Sequence, residues 1–148
     1  MPSSRTNNPH AQVRREHSRE LAEDYVEAIA DLIAEKGACR AVELAKRFAV
    51  SHVSVIKTVQ RLQTEGLVET KPYAPISLTK SGETLAAHAK SRHQRVYAFL
   101  RALGVSEANA TADAEGIEHH VSAETLRCMQ AFVESLSGPP KKKAKKPS

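Results

Sequence analysis

The 148-residue sequence predicts a mainly helical protein, a winged helix-turn-helix unit followed by an all-helical half. Three observations carry that prediction. Apolar residues recur at helical spacing through six segments, with serine caps and glycine stops between them. One pair of short β-prone runs, around the break Pro72-Tyr73-Ala74-Pro75, interrupts the helical pattern after the third segment. Finally, the charge is uneven: residues 36–81, which hold the third helix and those runs, carry eight bases against three acids, whereas residues 20–35 carry six acids and no base.

The elements follow in order. Residues 1–18 are polar, contain Pro2 and Pro9 and lack periodicity, so a disordered arm is expected there. Leu21, Tyr25, Ala28 and Leu32 lie at i, i+4, i+7 and i+11, one face of a first helix ending near Gly37. A short second helix fits Ala41 to Phe48, with Val42, Leu44, Ala45 and Phe48 apolar. Ser51 is placed to cap a third helix, whose inward stripe is Val55, Val59 and Leu62 and which stops at Gly66. Leu67–Thr70 and Ile76–Thr79 then read as a hairpin. A long helix should run from about Lys80 to Leu103 with Leu85, Ala89, Val96, Leu100 and Leu103 on one stripe, and Gly104 ends it. Ser106 can cap a fifth helix reaching toward His120. Ser122 can cap a sixth, with Leu126, Met129, Val133 and Leu136 inward. The expected organisation is an arm at 1–18, a winged helix-turn-helix domain at 19–79, a helical domain at 80–137 and a disordered basic tail at 138–148.

Composition narrows the function classes. No apolar run approaches the roughly 20 residues that span a bilayer, and the N-terminus lacks the apolar core of a secretory signal, so a cytoplasmic protein with no membrane partner is expected. Cys39 and Cys128 stand in no metal-type spacing and read as reduced, packed side chains. Aromatic residues are only 4 % of the chain, which argues against a base-stacking platform. The basic middle segment would attract a polyanion and its acidic flanks a cation.

Helix, helix, tight turn, helix, hairpin is the order in which a third helix enters the major groove of double-stranded DNA. With Val55, Val59 and Leu62 inward, His52, Ser54, Lys57, Thr58 and Arg61 point outward and Ser51 stands at the helix start. Serine, threonine and histidine can read base edges, while lysine and arginine suit phosphate or guanine. A solvated polar face is the plain alternative. Lys71 and Tyr73 are the candidate wing contacts. The lysines of the tail and the N-terminal arginines would add salt-dependent, sequence-independent affinity.

Two further clusters point to a metal. Glu115, Glu118 and His119 lie at i, i+3 and i+4 around Gly116, and Asp24 and Glu27 are similarly spaced on the first helix. His93 falls inside the apolar stripe of the long helix. An acidic surface and a hydrogen-bonded core histidine are the alternatives. As a set, four carboxylates and two imidazoles suit Mn(II), balance two divalent cations, and lack the thiolate that a soft-metal site prefers. Affinity order alone favours later metals, so Fe(II), Co(II) or Zn(II) are possible substitutes.

The segments Asp24-Tyr25-Val26-Glu27, Ser91-Arg92-His93 and Asp113-Ala114-Glu115-Gly116-Ile117-Glu118-His119-His120 resemble the diphtheria-toxin-repressor family, and within it the manganese-sensing branch, over roughly residues 20–136. The resemblance implies Asp24, Glu27, His93, Glu115, Glu118 and His119 as metal ligands. Iron-sensing relatives carry Met where Asp24 stands and Cys where Glu115 stands. It also implies dimerisation through residues 80–136, no third, SH3-like domain, and no enzymatic activity. The function it implies is a homodimeric repressor that binds operator DNA when Mn(II) is bound, two ions per subunit, and so controls manganese import. The alternatives are an iron-responsive regulator and a metal-independent winged-helix regulator. The wing departs from relatives, which usually have a glycine within the stretch Pro72–Pro75.

Overall fold

The computed structural model describes residues 8–138. Its elements are α1 (Pro9–Lys36), α2 (Ala41–Phe48), α3 (His52–Thr64), β1 (Val68–Glu69), β2 (Ser77–Leu78), α4 (Lys80–Ala102), α5 (Glu107–Ile117) and α6 (Ala123–Leu136). The chain divides into two compact units, residues 1–88 and 89–148, with the continuous helix α4 contributing to both.

The first unit departs from expectation at its start. Residues 9–18, read as part of a disordered arm, are helical and belong to α1. Asn8 caps the helix through its side chain, which accepts from the His10 amide at 3.0 Å, and Pro9 occupies the first turn, where its missing N–H costs nothing. Arg, Glu, Gln and Ala then favour helix without any apolar stripe to reveal it. The expectations for residues 1–7 lie outside the described residues. Leu21 is also exposed, so the inward stripe begins at Ala22 and runs through Tyr25, Val26, Ala28, Ile29 and Leu32. Gly37, at φ 79°, closes α1 by donating its amide to the Ile33 carbonyl.

Against this stripe pack Leu44 of α2, Val55, Val59 and Leu62 of α3, and Val68 and Ile76 at the hairpin. The Tyr25 and Phe48 rings stack with centroids 4.5 Å apart. Val42, expected among the apolar positions of α2, is exposed. Cys39 is fully buried, and its carbonyl accepts from the Ile76 amide at 2.8 Å, tying the hairpin to the loop after α1. The hairpin itself is short: Val68 pairs with Leu78 and Glu69 with Ser77, antiparallel.

Thr79 anchors the hairpin to α4. Its amide donates to the Leu67 carbonyl, its hydroxyl donates to the Gly66 carbonyl at 2.6 Å, and the same oxygen accepts from the Gly82 amide at 3.1 Å. Gly82 is required here, because a Cβ at that position would collide with the Leu67 carbonyl oxygen.

The second unit has a small core of Val96, Ala114 and Leu126, flanked by Tyr97, Leu100, Ile117, Val121 and Met129. Ser106 and Ser122 cap α5 and α6 as expected, accepting from the Asn109 and Thr125 amides. Gly104 ends α4 at φ 97°. Leu103 and Leu136, placed on inward stripes by spacing, are exposed, as is Phe132, which meets Phe99 edge-on at 5.6 Å. The lysine tail from residue 139 lies outside the described residues.

Candidate metal centre and nucleic-acid interface

In the second unit, α5 ends at Ile117, and the chain holds one more helical residue before turning. Glu118 sits at φ −57° and ψ −29° with its amide donating to the Ala114 carbonyl, and the His120 amide then donates to the Ile117 carbonyl. This end of α5 sets the Glu118 side chain beside His93 of α4 and next to His119. Glu118 is 3 % exposed. Its Oε2 lies 3.5 Å from Nδ1 of His93, and its Oε1 lies 3.5 Å from Nε2 of His119. A buried carboxylate between two imidazoles is a costly arrangement unless its charge is matched. The donor set, one hard oxygen ligand with two imidazole nitrogens, fits a divalent transition metal.

Three of the six predicted ligands therefore come together within this unit. Glu115 is exposed, outside this trio, although it lies only three residues before Glu118. In the first unit, Asp24 and Glu27 are both half-buried on α1, one turn apart. Glu23, beside Asp24, is 4 % exposed. Its burial was hidden in the sequence among five other acids. Gly116 has open space where a Cβ would stand, so no packing contact demands a glycine there.

The first unit also presents the helix-turn-helix. Ala49 takes the left-handed conformation at φ 53°, and the Val50 amide donates to the Ala45 carbonyl, which turns the chain sharply into α3. Ser51 caps α3, accepting from the Ser54 amide at 3.1 Å and donating to the Ser54 hydroxyl at 3.0 Å. Thr58 is half-buried and donates to the Ser54 carbonyl. Arg61 turns toward α1, donating to the Ser18 carbonyl at 3.1 Å and pairing with Glu65 at 3.5 Å. His52, Ser54 and Lys57 are exposed. Of the outward residues, His52 and Lys57 therefore keep the most freedom to meet a ligand.

The sequence reading missed two exposed apolar residues on the same helix, Val53 and Ile56, because apolar positions were assigned to packing. At the wing, the Ala74 amide donates to the Lys71 carbonyl at 3.1 Å, closing a turn with Pro72 and Tyr73 at its centre. Tyr73 takes φ 64° and is fully exposed. Such a turn normally asks for glycine at that place.

A family model for the N-terminal DNA-binding domain of iron-dependent repressors matches residues 18–76, and one for their metal-binding and dimerisation domain matches residues 79–146. The chain is 50 % identical to the transcriptional regulator MntR of Escherichia coli O6:H1 over 123 residues, 83 % of this chain and 79 % of that one. The chain belongs to the DtxR/MntR family. It is 36 % identical to the regulator MntR of Lysinibacillus sphaericus over 118 residues, 80 % of this chain and 85 % of that one. The solved structure of the manganese regulator SloR matches 76 % of this chain with a TM-score of 0.68 at 28 % identity. This chain spans about half, 53 %, of the length of that solved chain. The family match places a DNA-binding domain ahead of a metal-binding and dimerisation domain, the order expected from the sequence. No helix among the described residues is long and apolar enough to cross a membrane.

Proposed function

We propose that this chain is a manganese-responsive transcriptional repressor that binds operator DNA as a homodimer and controls manganese import. The buried Glu118 carboxylate held between His93 and His119 supports the metal-sensing part most strongly. Asp24, Glu27 and Glu115 complete the proposed ligand set, giving four carboxylates and two imidazoles, enough for two Mn(II) per subunit. Bound Mn(II) supplies positive charge that offsets the carboxylates.

The chain's own residues do the rest. Without a cation the carboxylates of this set repel one another. With their charge matched, the two units are coupled, and the recognition helices of a dimer are kept at one spacing, suited to half-sites about one helical turn apart. His52, Ser54 and Lys57 then meet the major groove, and Lys71 and Tyr73 the backbone beside it. The exposed Leu103, Phe132 and Leu136 suit a face covered by a second copy.

Donor chemistry tests this reading. Asp24→Met combined with Glu115→Cys replaces two hard oxygen ligands by soft sulfur. DNA affinity measured against free metal should then lose its preference for Mn(II) and respond better to Fe(II), Co(II) or Zn(II). An unaltered Mn(II) response would remove both residues from the sensing site.

A further inference from the structure

Two large apolar side chains of α1 face solvent, Val13 at 49 % and Leu21 at 37 % exposure. Neither belongs to the buried stripe, which begins at Ala22. They stand either side of exposed His17, at i, i+4 and i+8, so the three form one row along the helix. Arg14, His17 and Glu20, at i, i+3 and i+6, form a second row that crosses the first at His17. Within the chain, Nδ1 of His17 meets Oε2 of Glu20 at 4.0 Å. Helix propensity does not ask for valine at position 13, where Gln or Arg would serve better. The match to the DNA-binding domain of relatives begins at residue 18, so the turn that carries Val13 and Arg14 lies ahead of it.

The two rows share a symmetry centred on His17. On the apolar row, Val13 stands four residues before it and Leu21 four after. On the charged row, Arg14 stands three before and Glu20 three after, with opposite signs. Such a face is complementary to itself when a second copy runs antiparallel across a twofold axis at His17. On the strength of the homodimer proposed above, we infer that α1 packs in this way against α1 of a second copy. Val13 then meets Leu21 of the partner subunit, and Arg14 faces Glu20 of the partner subunit. Helices that pack through their i±4 rows, the commonest arrangement, bring their axes to about 8–10 Å. Two apolar side chains from each copy are too few to join free chains. They suffice between copies already tethered, and residues 79–146 match a dimerisation domain that supplies the tether. DNA is the poorer occupant, because Arg14 and Glu20 balance and offer a polyanion no net attraction. The contact gives the two DNA-binding units of a dimer a joint of their own, on the helix that also carries Asp24 and Glu27.

Cysteine pairing tests the contact, because a disulfide forms only where Cβ atoms come within about 3.5–4.5 Å. The full chain carries Cys128→Ser, and buried Cys39 stays in place. His17→Cys lies on the proposed axis and should join its own counterpart when diamide is added, giving a covalent dimer on a non-reducing gel. Arg15→Cys, exposed on another side of α1, is the control. The His17→Cys dimer should form about ten-fold faster, as the local concentration at a contact implies. Val13→Cys and Leu21→Cys should each stay uncoupled alone and join once the two variants are mixed and exchange subunits. Val13→Ser with Leu21→Ser, added to His17→Cys, should bring its rate down to that of the control, with thermal melting confirming that the variant folds. Equal rates for His17→Cys and Arg15→Cys overturn the contact. Rapid joining of Val13→Cys to itself would mean a parallel pair and overturns it too. If the two serines instead weaken binding to a duplex selected from a random library by the full chain in Mn(II), and His17→Cys forms no disulfide, the face meets DNA and the inference falls. Sedimentation of the reduced proteins separates the two readings. A dimer without the His17→Cys disulfide overturns this contact alone, whereas a monomer overturns the homodimer with it.

Discussion

Gly82→Ala should destabilise the first unit and loosen the wing. A Cβ at this position collides with the Leu67 carbonyl oxygen and would also lie 3.0 Å from the Leu67 carbonyl carbon and 3.2 Å from Cδ2 of Leu78. The carbonyl is main chain, and neither it nor α4 can yield cheaply. Leu67 accepts from Thr79, and Thr79 bonds both Gly66 and Gly82, so the hairpin base and the first turn of α4 are locked together. Overpacking usually costs about 1–3 kcal/mol, and a backbone clash belongs at the upper end. The substitution would gain up to about 1 kcal/mol in helix propensity, leaving a net loss of roughly 2 kcal/mol. For a chain of this size that lowers Tm by roughly 4–8 °C. Thermal melting by circular dichroism measures the loss, and amide exchange at Val68 and Leu78 locates it. A Tm within a degree of wild type, with unchanged exchange in the hairpin, would refute the account of how the wing is anchored.

Three further outcomes are expected. Burial, reinforced by Glu43, pushes the Cys39 thiol up to about 11. A maleimide at neutral pH should therefore label exposed Cys128 and leave Cys39 unmodified until the chain is denatured. Because the unfolded thiol ionises near 9 and the folded one near 11, the stability that Cys39 confers is intact below 9 and lost as pH rises through that window. Equal labelling of both cysteines in the native protein would contradict the packing described. Lys57→Ala should weaken binding to a selected duplex and lower the slope of log affinity against log salt by about 1, whatever the sequence of the duplex. An unchanged slope would mean that Lys57 does not touch phosphate.

The sequence revealed most where local chemistry decides the structure. Ser51, Ser106 and Ser122 cap helices, and Gly37, Gly66 and Gly104 end them, because a side-chain acceptor or a positive φ is a property of one residue and its neighbours. The spacing of Val55, Val59 and Leu62 gave the inward face of α3 for the same reason. Residues 9–18 were misread because a helix polar on all sides has no apolar period. That error hid a consequence: the Ser18 carbonyl accepts from Arg61, so a residue expected to face outward is drawn toward α1. Spacing grouped Glu115 with Glu118, yet only Glu118 is buried, because it continues the buried Ala110 and Ala114 face by one more helical turn while Glu115 stands one residue round from that face. Apolar pattern equally misplaced Leu21, Leu103 and Leu136, since periodicity tells which residues share a face and not what covers it.

The central claim is that metal held at Glu118 and its neighbours licenses DNA binding, and one titration tests it. Affinity for a selected duplex is measured against free Mn(II), with chelator as the zero point, for wild type and His119→Ala. The wild type should bind tightly as Mn(II) rises and weakly in chelator. His119→Ala removes one ligand without replacement and should stay at the chelator level throughout. If the wild type binds equally well in chelator, or His119→Ala responds to Mn(II) as the wild type does, the claim is contradicted.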